Sequence, residues 1–246
     1  MTDPRPSGAT RRLKVLVIDV GGTHVKVLAT GRRTPRKMPS GPSLTAQEMV
    51  SAVKQLTARW RYDVVSMGYP GLVIHGRPVV EPHNLGCGWV GFDFRGAFGC
   101  PLKVINDAAM QALGSYRGGR MLFLGLGTGL GSAMIIDGAL EPMELAHLPY
   151  QKGRTYEDYV GLRGLKRLGT KKWRRHVAAV VRRLTAALEA DDVVIGGGNA
   201  KRVERLPAGA RSGHNANAFI GGFRLWQKES QRQRKGRVTA RRARGA

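Results

Sequence analysis

Short apolar runs ending in glycine turns alternate along the chain with stretches whose apolar positions fall three and four residues apart, the pattern of a mixed α/β protein. Leu13-Lys-Val-Leu-Val-Ile18 reads as a buried strand running into Asp19-Val-Gly-Gly-Thr23, with Val25-Lys-Val-Leu-Ala29 as its hairpin partner. Thr45-Ala-Gln-Glu48 has the form of a capping box, and Met49, Val53, Leu56 and Trp60 then share one helical face. Val64-Val-Ser-Met67 returns as a strand into Gly68-Tyr-Pro-Gly71. Leu102-Lys-Val-Ile105 is a further strand that delivers Asn106 and Asp107 at its C-terminal end, ahead of a helix with Ala108, Ala109 and Leu113. Strand ends of this kind are where α/β sheets place their chemistry.

Met121-Leu-Phe-Leu-Gly-Leu126 and Ser132-Ala-Met-Ile-Ile-Asp137 read as a second hairpin around Gly127-Thr-Gly-Leu-Gly131, so the early order of strand, glycine turn and strand recurs without enough identity to form a sequence repeat. Trp173, Val177, Val180, Val181, Leu184 and Leu188 mark an amphipathic helix, and Asp192-Val-Val-Ile195 leads into Gly196-Gly-Gly198. The expected division is a loose arm over 1–12, a small N-terminal lobe over 13–107, a larger C-terminal lobe over 108–226 and a basic, apolar-poor tail over 227–246.

Hydrophobic residues make up 42% of the 246 positions, enough for a sizeable core. No apolar run of about 18 residues exists to span a membrane, and the opening Met1-Thr-Asp-Pro lacks the apolar stretch of a secretory signal, so a cytoplasmic location is expected. Cys87 and Cys100 are too few for a disulfide framework or a cysteine zinc site. Charge changes the picture more. Lys and Arg total 41 against 17 Asp and Glu, a formal net charge of +24. The excess gathers around Arg11, Arg12, Arg32, Arg33, Arg36 and Lys37, in an acid-free run from Tyr159 to Leu188, and after Trp226. Such runs are commonly solvated faces; the sharper reading is a surface that attracts nucleic acid, ribosomes or polyphosphate.

Three glycine clusters follow short apolar strands: Gly21-Gly22-Thr23, Gly125 to Gly131, and Gly196-Gly197-Gly198. Glycine lets backbone N–H groups converge closely on phosphate oxygens, and the hydroxyls of Thr23 and Thr128 add donors. One such cluster is usually only a tight turn; three shift the balance toward phosphate binding. There is no G-x-x-x-x-G-K-[ST], and a dinucleotide fingerprint starting at Gly125 needs glycine or alanine where Leu130 stands.

With these residues in place the sequence resembles the ROK family of bacterial sugar kinases, and most of all its polyphosphate glucokinase branch. Asp19-Val-Gly-Gly-Thr-His-Val-Lys26 resembles the family's first phosphate motif and Leu124 to Ser132 its second. Gly68-Tyr-Pro-Gly71, Asn84-Leu85 and Trp89 are similar to the sugar-side segment, Ile105-Asn-Asp-Ala108 to the catalytic segment, Glu144-Leu-Ala-His147 to the E-x-G-H sugar motif, and Ile195 to Lys201 to the adenosine-side turn. The matches run in order from about Val15 to Phe223. The departures are Ala146 for the motif's glycine, Ala109 for a polar residue, and no cysteine-rich zinc motif. The first phosphate motif also starts close to Met1, which disfavours the helix-turn-helix of the family's regulators.

The resemblance implies a two-lobed actin-like ATPase (ribonuclease H-like) fold, a homodimer, and hinge closure on sugar. It implies transfer of a phosphoryl group from polyphosphate or ATP to glucose, with Asp107 as base; Asn106-Asp107 as a helix cap is the plainer alternative. Gly21, Gly22, Thr23, Lys26, Gly127, Thr128, Gly129, Gly196, Gly197 and Gly198 then hold the donor, and Asp19 holds Mg2+, through water. Lys26 in a strand also reads as an outward charge. Asn84, Asn106, Asp107, Glu144, His147 and Glu157 resemble the hexose contacts. Glu144 and His147, three apart, share a face if that segment is helical. For Glu157 with Asp158 the bland reading is ordinary surface acids, and Trp89 and Trp173 read as packing. Two alternatives stand beside the glucokinase: a kinase for another hexose or an amino sugar, and a nucleic-acid or ribosome-associated module. The module lacks RRM, KH and zinc-finger signatures and leaves the sugar motifs unexplained.

Overall fold

The computed structural model describes residues 13–227, so the arm 1–12 and the basic tail beyond residue 227 lie outside the described residues. The first half runs β1 (Val15–Val20), β2 (His24–Ala29), β3 (Arg36–Pro39), α1 (Ala46–Leu56), β4 (Val64–Tyr69), β5 (Val73–Ile74), β6 (Arg77–Pro78), α2 (Phe94–Phe98), β7 (Leu102–Asn106) and α3 (Asp107–Ser115). The second runs β8 (Arg120–Leu126), β9 (Leu130–Ile136), β10 (Ala139–Met143), β11 (Pro149–Gln151), β12 (Arg154–Thr155), α4 (Tyr156–Val160), α5 (Leu162–Leu188), β13 (Asp192–Gly196), β14 (Ala210–Ser212) and α6 (Asn217–Arg224).

Two five-stranded sheets carry these elements, ordered β3-β2-β1-β4-β7 and β10-β9-β8-β13-β14. Each is an antiparallel three-strand meander extended by two parallel strands. The strand-turn-strand recurrence seen in the sequence is thus the visible part of a whole sheet built twice. This duplicated, two-lobed order is the actin-like ATPase (ribonuclease H-like) fold.

β1 shows why its sequence is almost unbroken apolar: all six residues are buried because both faces of the sheet are covered. Leu16, Ile18 and Val20 pack toward the α1 side, while Val15 and Val17 pack against Ala218 and Phe219 of α6. α1 opens as the sequence predicts, with Thr45 and Glu48 capping each other. It closes earlier than expected. The Thr57 hydroxyl donates to the Val53 carbonyl at 2.7 Å, and Trp60 lies beyond the helix, buried in a turn under the Arg36 guanidinium 4.9 Å from its ring.

The expected boundary at 107/108 falls where β7 passes into α3, but the C-terminal segment does not stay with the second lobe. α6 returns to β1 and β4, and the Trp226 indole donates to Ser66 Oγ of β4 at 3.0 Å, while Ser66 donates to the Gly222 carbonyl at 2.6 Å. α6 reaches this place by crossing α3 backbone to backbone. A Cβ on Gly114 would collide with the Asn217 carbonyl, and one on Gly221 with the Met110 carbonyl.

Candidate active site

The site is assembled from strand ends. β1 ends near Asp19, whose partner across the hairpin is Lys26, with Nζ 3.7 Å from its carboxylate. Lys26 therefore points at the acid rather than only outward. Asp19 is 9% exposed, and burial raises its pKa above the usual carboxylate range against the opposing pull of Lys26. The turn that follows is tied down by Ser40, whose hydroxyl donates to the Gly21 carbonyl at 2.6 Å and whose N–H donates to the Thr23 carbonyl at 3.0 Å. Gly22 and Thr23 stay open, and Gly22 lies so close to Asn84 that a Cβ there would stand 3.2 Å from the asparagine's own.

Two strands away, β7 hands over to α3 and divides the work of Asn106 and Asp107. Asn106 is the cap: its side-chain oxygen accepts from the N–H groups of Ala108 and Ala109 at 2.9 and 3.2 Å, and its amide donates to the Gly71 carbonyl at 3.1 Å. Asp107 is the first helical residue. Its Oδ1 accepts from the Ala108 N–H at 2.7 Å, and its own backbone N–H also bonds the carboxylate. Burial, joined by the negative charge of Asp19, pushes the Asp107 carboxyl up to about 7.

The second lobe brings its turn to the same place, since a Cβ on Gly131 would stand 2.8 Å from that of Ala108. The Gly127–Gly131 loop is gripped from the other sides as well. The Asn199 side chain donates to the Gly127 carbonyl at 2.9 Å, and the Leu162 N–H at the start of α5 donates to the Thr128 carbonyl at 3.0 Å. Glu157 Oε2 accepts from the Leu130 N–H at 3.3 Å and fills the space where a Gly129 side chain would sit. In the third turn Gly196 is buried within β13, leaving room for the Phe123 ring, and Gly197 (φ 84°) lies against the Leu126 backbone; the open position is Gly198.

The segment holding Glu144 and His147 is a turn after β10, not a helix. The two side chains still meet, with His147 Nε2 3.7 Å from Glu144 Oε1. More than half of Glu144 is open, yet crowding of its carboxyl raises its pKa; His147 opposes the shift and the charge of Glu157 adds to it. The Ala146 carbonyl accepts from the Glu157 N–H at 3.0 Å, joining this turn to α4. Trp89 and Trp173 are fully buried, as packing residues are.

Three partners of the site were not legible beforehand. Ser40 stands in no recognisable pattern; Arg163, 3.5 Å from Glu157 Oε1, reads in the sequence only as one cation of the acid-free run, and Asn199 only as part of the third glycine turn's motif, with no sign of its grip on Gly127. A cavity of about 1060 Å³ beside β7, lined by residues such as Arg77, Phe92 and Val104, contains none of the residues of this site.

Among the described residues no group of three or more His, Cys, Asp and Glu forms a metal cage. Mg2+ needs none: it commonly takes one or two carboxylates and completes its shell with water and substrate phosphate. Asp19 fits that demand, because a cation there would offset the repulsion between its charge and that of Asp107.

Two carboxyls at the ends of the strands that flank β4, glycine turns from both lobes and several polar side chains thus come together on the actin-like ATPase fold. The sequence profile of the ROK family matches residues 15–142, and the chain belongs to that family. It is 29% identical over 224 residues to the polyphosphate glucokinase of Mycobacterium tuberculosis, covering 80% of this chain and 82% of the relative. It is also 29% identical over 146 residues to the N-acetylmannosamine kinase of Salmonella newport, covering 52% and 49%. The crystal structure of the inorganic polyphosphate/ATP-glucomannokinase from Arthrobacter sp. strain KM superposes with a TM-score of 0.75 at 24% identity, covering 90% of this chain and 100% of that one.

Proposed function

We propose that this ROK sugar kinase transfers the terminal phosphoryl group of polyphosphate or ATP to the 6-hydroxyl of glucose. The observation that carries the reading is Asp107, a carboxyl raised to about 7 at the junction of the two lobes, beside Asp19 and the Gly127–Gly131 turn. A base with a pKa near the working pH accepts the hydroxyl proton as the oxygen attacks. Asn84, Glu144, His147 and Glu157 supply donors and acceptors for the remaining hydroxyls, each of which costs about 1–3 kcal/mol if buried unpaired. Asn106, already committed to the cap and to Gly71, holds Asp107 in place and keeps one amide hydrogen for sugar.

The open N–H groups around Gly22, Thr23, Thr128 and Gly198 cradle the donor phosphates. Mg2+ held by Asp19 through water would spread the charge of the transferred group. Lys26, within reach of Asp19, restrains that carboxylate and adds positive charge beside it.

Polyphosphate is favoured as one donor by the way α5 is mounted. Its first N–H is bonded to the Thr128 carbonyl, so this segment leaves from the phosphate loop itself; Lys166 is exposed on its first turns, and beyond a non-helical break at Gly169 (φ 72°) Lys171, Lys172, Arg175 and Arg182 are exposed along its longer part. Arg174 differs from these, since its guanidinium is taken by Glu204 at 2.6 Å and by the Arg202 carbonyl.

The deciding experiment assays several hexoses and N-acetylmannosamine against ATP, GTP and long-chain polyphosphate in the presence of Mg2+. Glucose 6-phosphate formation with polyphosphate is the expected result. Turnover of an amino sugar alone replaces the acceptor, and salt-steep RNA binding with no turnover of any pair replaces the reading altogether.

A further inference from the structure

Glu157 lies where two binding events meet. Its backbone N–H is bonded to the Ala146 carbonyl in the turn that holds Glu144 and His147. Its Oε2 accepts from the Leu130 N–H and touches Gly129 in the donor loop. Its Oε1 stands 3.5 Å from the Arg163 guanidinium, which also stands 3.5 Å from Asp158, at the mouth of α5. The side chain is 26% exposed, so it keeps an open face, whereas Arg163 is 74% exposed and held by little else.

We propose that Glu157 is a positioning residue that couples sugar binding to donor binding. The inference rests on the kinase reading above. A carboxylate seated on the donor loop does two things to an arriving phosphate chain: it engages the Leu130 N–H, and it places a negative charge beside other negative charges. A hexose hydroxyl that donates to the same carboxylate competes for its lone pairs and draws it toward the Glu144–His147 turn. That movement returns the Leu130 N–H to the loop and takes charge away from the phosphates. Sugar therefore strengthens donor binding, and by linkage the donor strengthens sugar binding by the same factor. Arg163 moderates the effect, because its positive charge offsets part of the repulsion while Glu157 remains on the loop. The arrangement also explains a local sequence requirement: residue 129 must lack a side chain so that the carboxylate can seat.

The test measures tripolyphosphate binding to the whole chain by calorimetry, with Mg2+, in the absence and presence of saturating 6-deoxyglucose, which lacks the acceptor hydroxyl and so cannot turn over. The wild type is expected to bind tripolyphosphate about 5- to 20-fold more tightly with the sugar, within the usual range of coupling between sites. Glu157→Gln, having no charge to remove, is expected to reduce that factor to less than about 2-fold. Arg163→Ala acts in the opposite sense: tripolyphosphate alone binds more weakly and the factor rises above that of the wild type. A merely structural role for either residue would weaken both ligands without moving the ratio.

A wild-type ratio retained in Glu157→Gln overturns the inference while leaving the kinase reading intact. Should that variant lose sugar binding, the ratio in Arg163→Ala decides, and an unchanged ratio there overturns it too. A wild type that binds no 6-deoxyglucose refutes glucose as the acceptor and this inference with it.

Discussion

Asp19 and Asp107 stand at the ends of the two strands that flank β4, and the charge of the first adds to burial in raising the pKa of the second. The two acids are thereby given different tasks by position alone. Asp19 faces Lys26 and the first glycine turn, whereas Asp107 heads a helix that bridges the lobes.

With Asp107 as the proposed base, the rate is expected to follow its ionisation. Since the base must be deprotonated, kcat/KM for glucose should rise with pH and reach half its plateau near pH 7, the value to which the carboxyl is raised, or below it to the extent that Mg2+ at Asp19 offsets that neighbouring charge. Asp19→Asn removes one cause of the shift, so any residual activity should show its inflection at lower pH. Asp107→Asn should lose at least about 100-fold in kcat with an unchanged circular dichroism spectrum. A pH–rate profile of the three proteins checks both statements, and a fully active Asp107→Asn would exclude this residue as the base.

The same raised pKa has a stability consequence of opposite direction. A folded-state value above the unfolded one means that folding favours the protonated acid, so Asp107 weakens the fold progressively as pH climbs from the ordinary carboxylate range to about 7 and holds that cost above it. Asp107→Asn, which carries no charge, should melt above the wild type at pH 8 and match it near pH 4, by about 2–4 °C for each kcal/mol relieved. Thermal melts at the two pH values provide the comparison.

For the donor track, Lys171→Ala, Lys172→Ala and Arg175→Ala together should raise the KM for long-chain polyphosphate by roughly 3- to 100-fold, taking about 0.2–1 kcal/mol for each exposed cation, and flatten its dependence on salt. The KM for ATP should barely change. Equal losses for both donors would assign this charge to another partner. Arg174→Ala is expected to act differently, through the lost contacts with Glu204 and Arg202.

Packing between α3 and α6 leaves no space at Gly114, where a methyl group meets the Asn217 carbonyl. Gly114→Ala should therefore destabilise the fold by about 1–3 kcal/mol, an overpacking cost, and lower Tm accordingly in a thermal melt. A neutral result would show that the helices can separate freely at their crossing.

Much of this architecture could be read in advance because the central strands are apolar runs ending in glycine, a signal that survives without tertiary context. The strands that escaped notice are those whose residues carry the opposite signal. β3 is Arg-Lys-Met-Pro, exposed along a sheet edge, and is a strand only because β2 offers it partners. β10 holds Glu141 and Pro142, and β14 is three residues long. Trp60 fits a helical period, but the helix ends at Leu56, where Thr57 leaves helical geometry as the C-cap. At the site, residue types could be placed on motifs, but their internal commitments could not: nothing in Asn106-Asp107 tells which member caps the helix. The grip of Glu157 on the Leu130 N–H joins segments 27 positions apart, beyond any local pattern.

The return of α6 to the first sheet also sets an order of assembly. During synthesis Val15, Val17 and Val64 emerge early, but most of the residues that cover them, Ala218, Phe219 and Trp226, are among the last of the described chain to appear. The second lobe lies wholly between these two points in the sequence and can close upon itself first. The nascent first sheet has Met110 of α3 on this face but must wait for the rest of its cover until the final helix arrives, a long-range closure that slows folding and leaves the waiting face prone to aggregation.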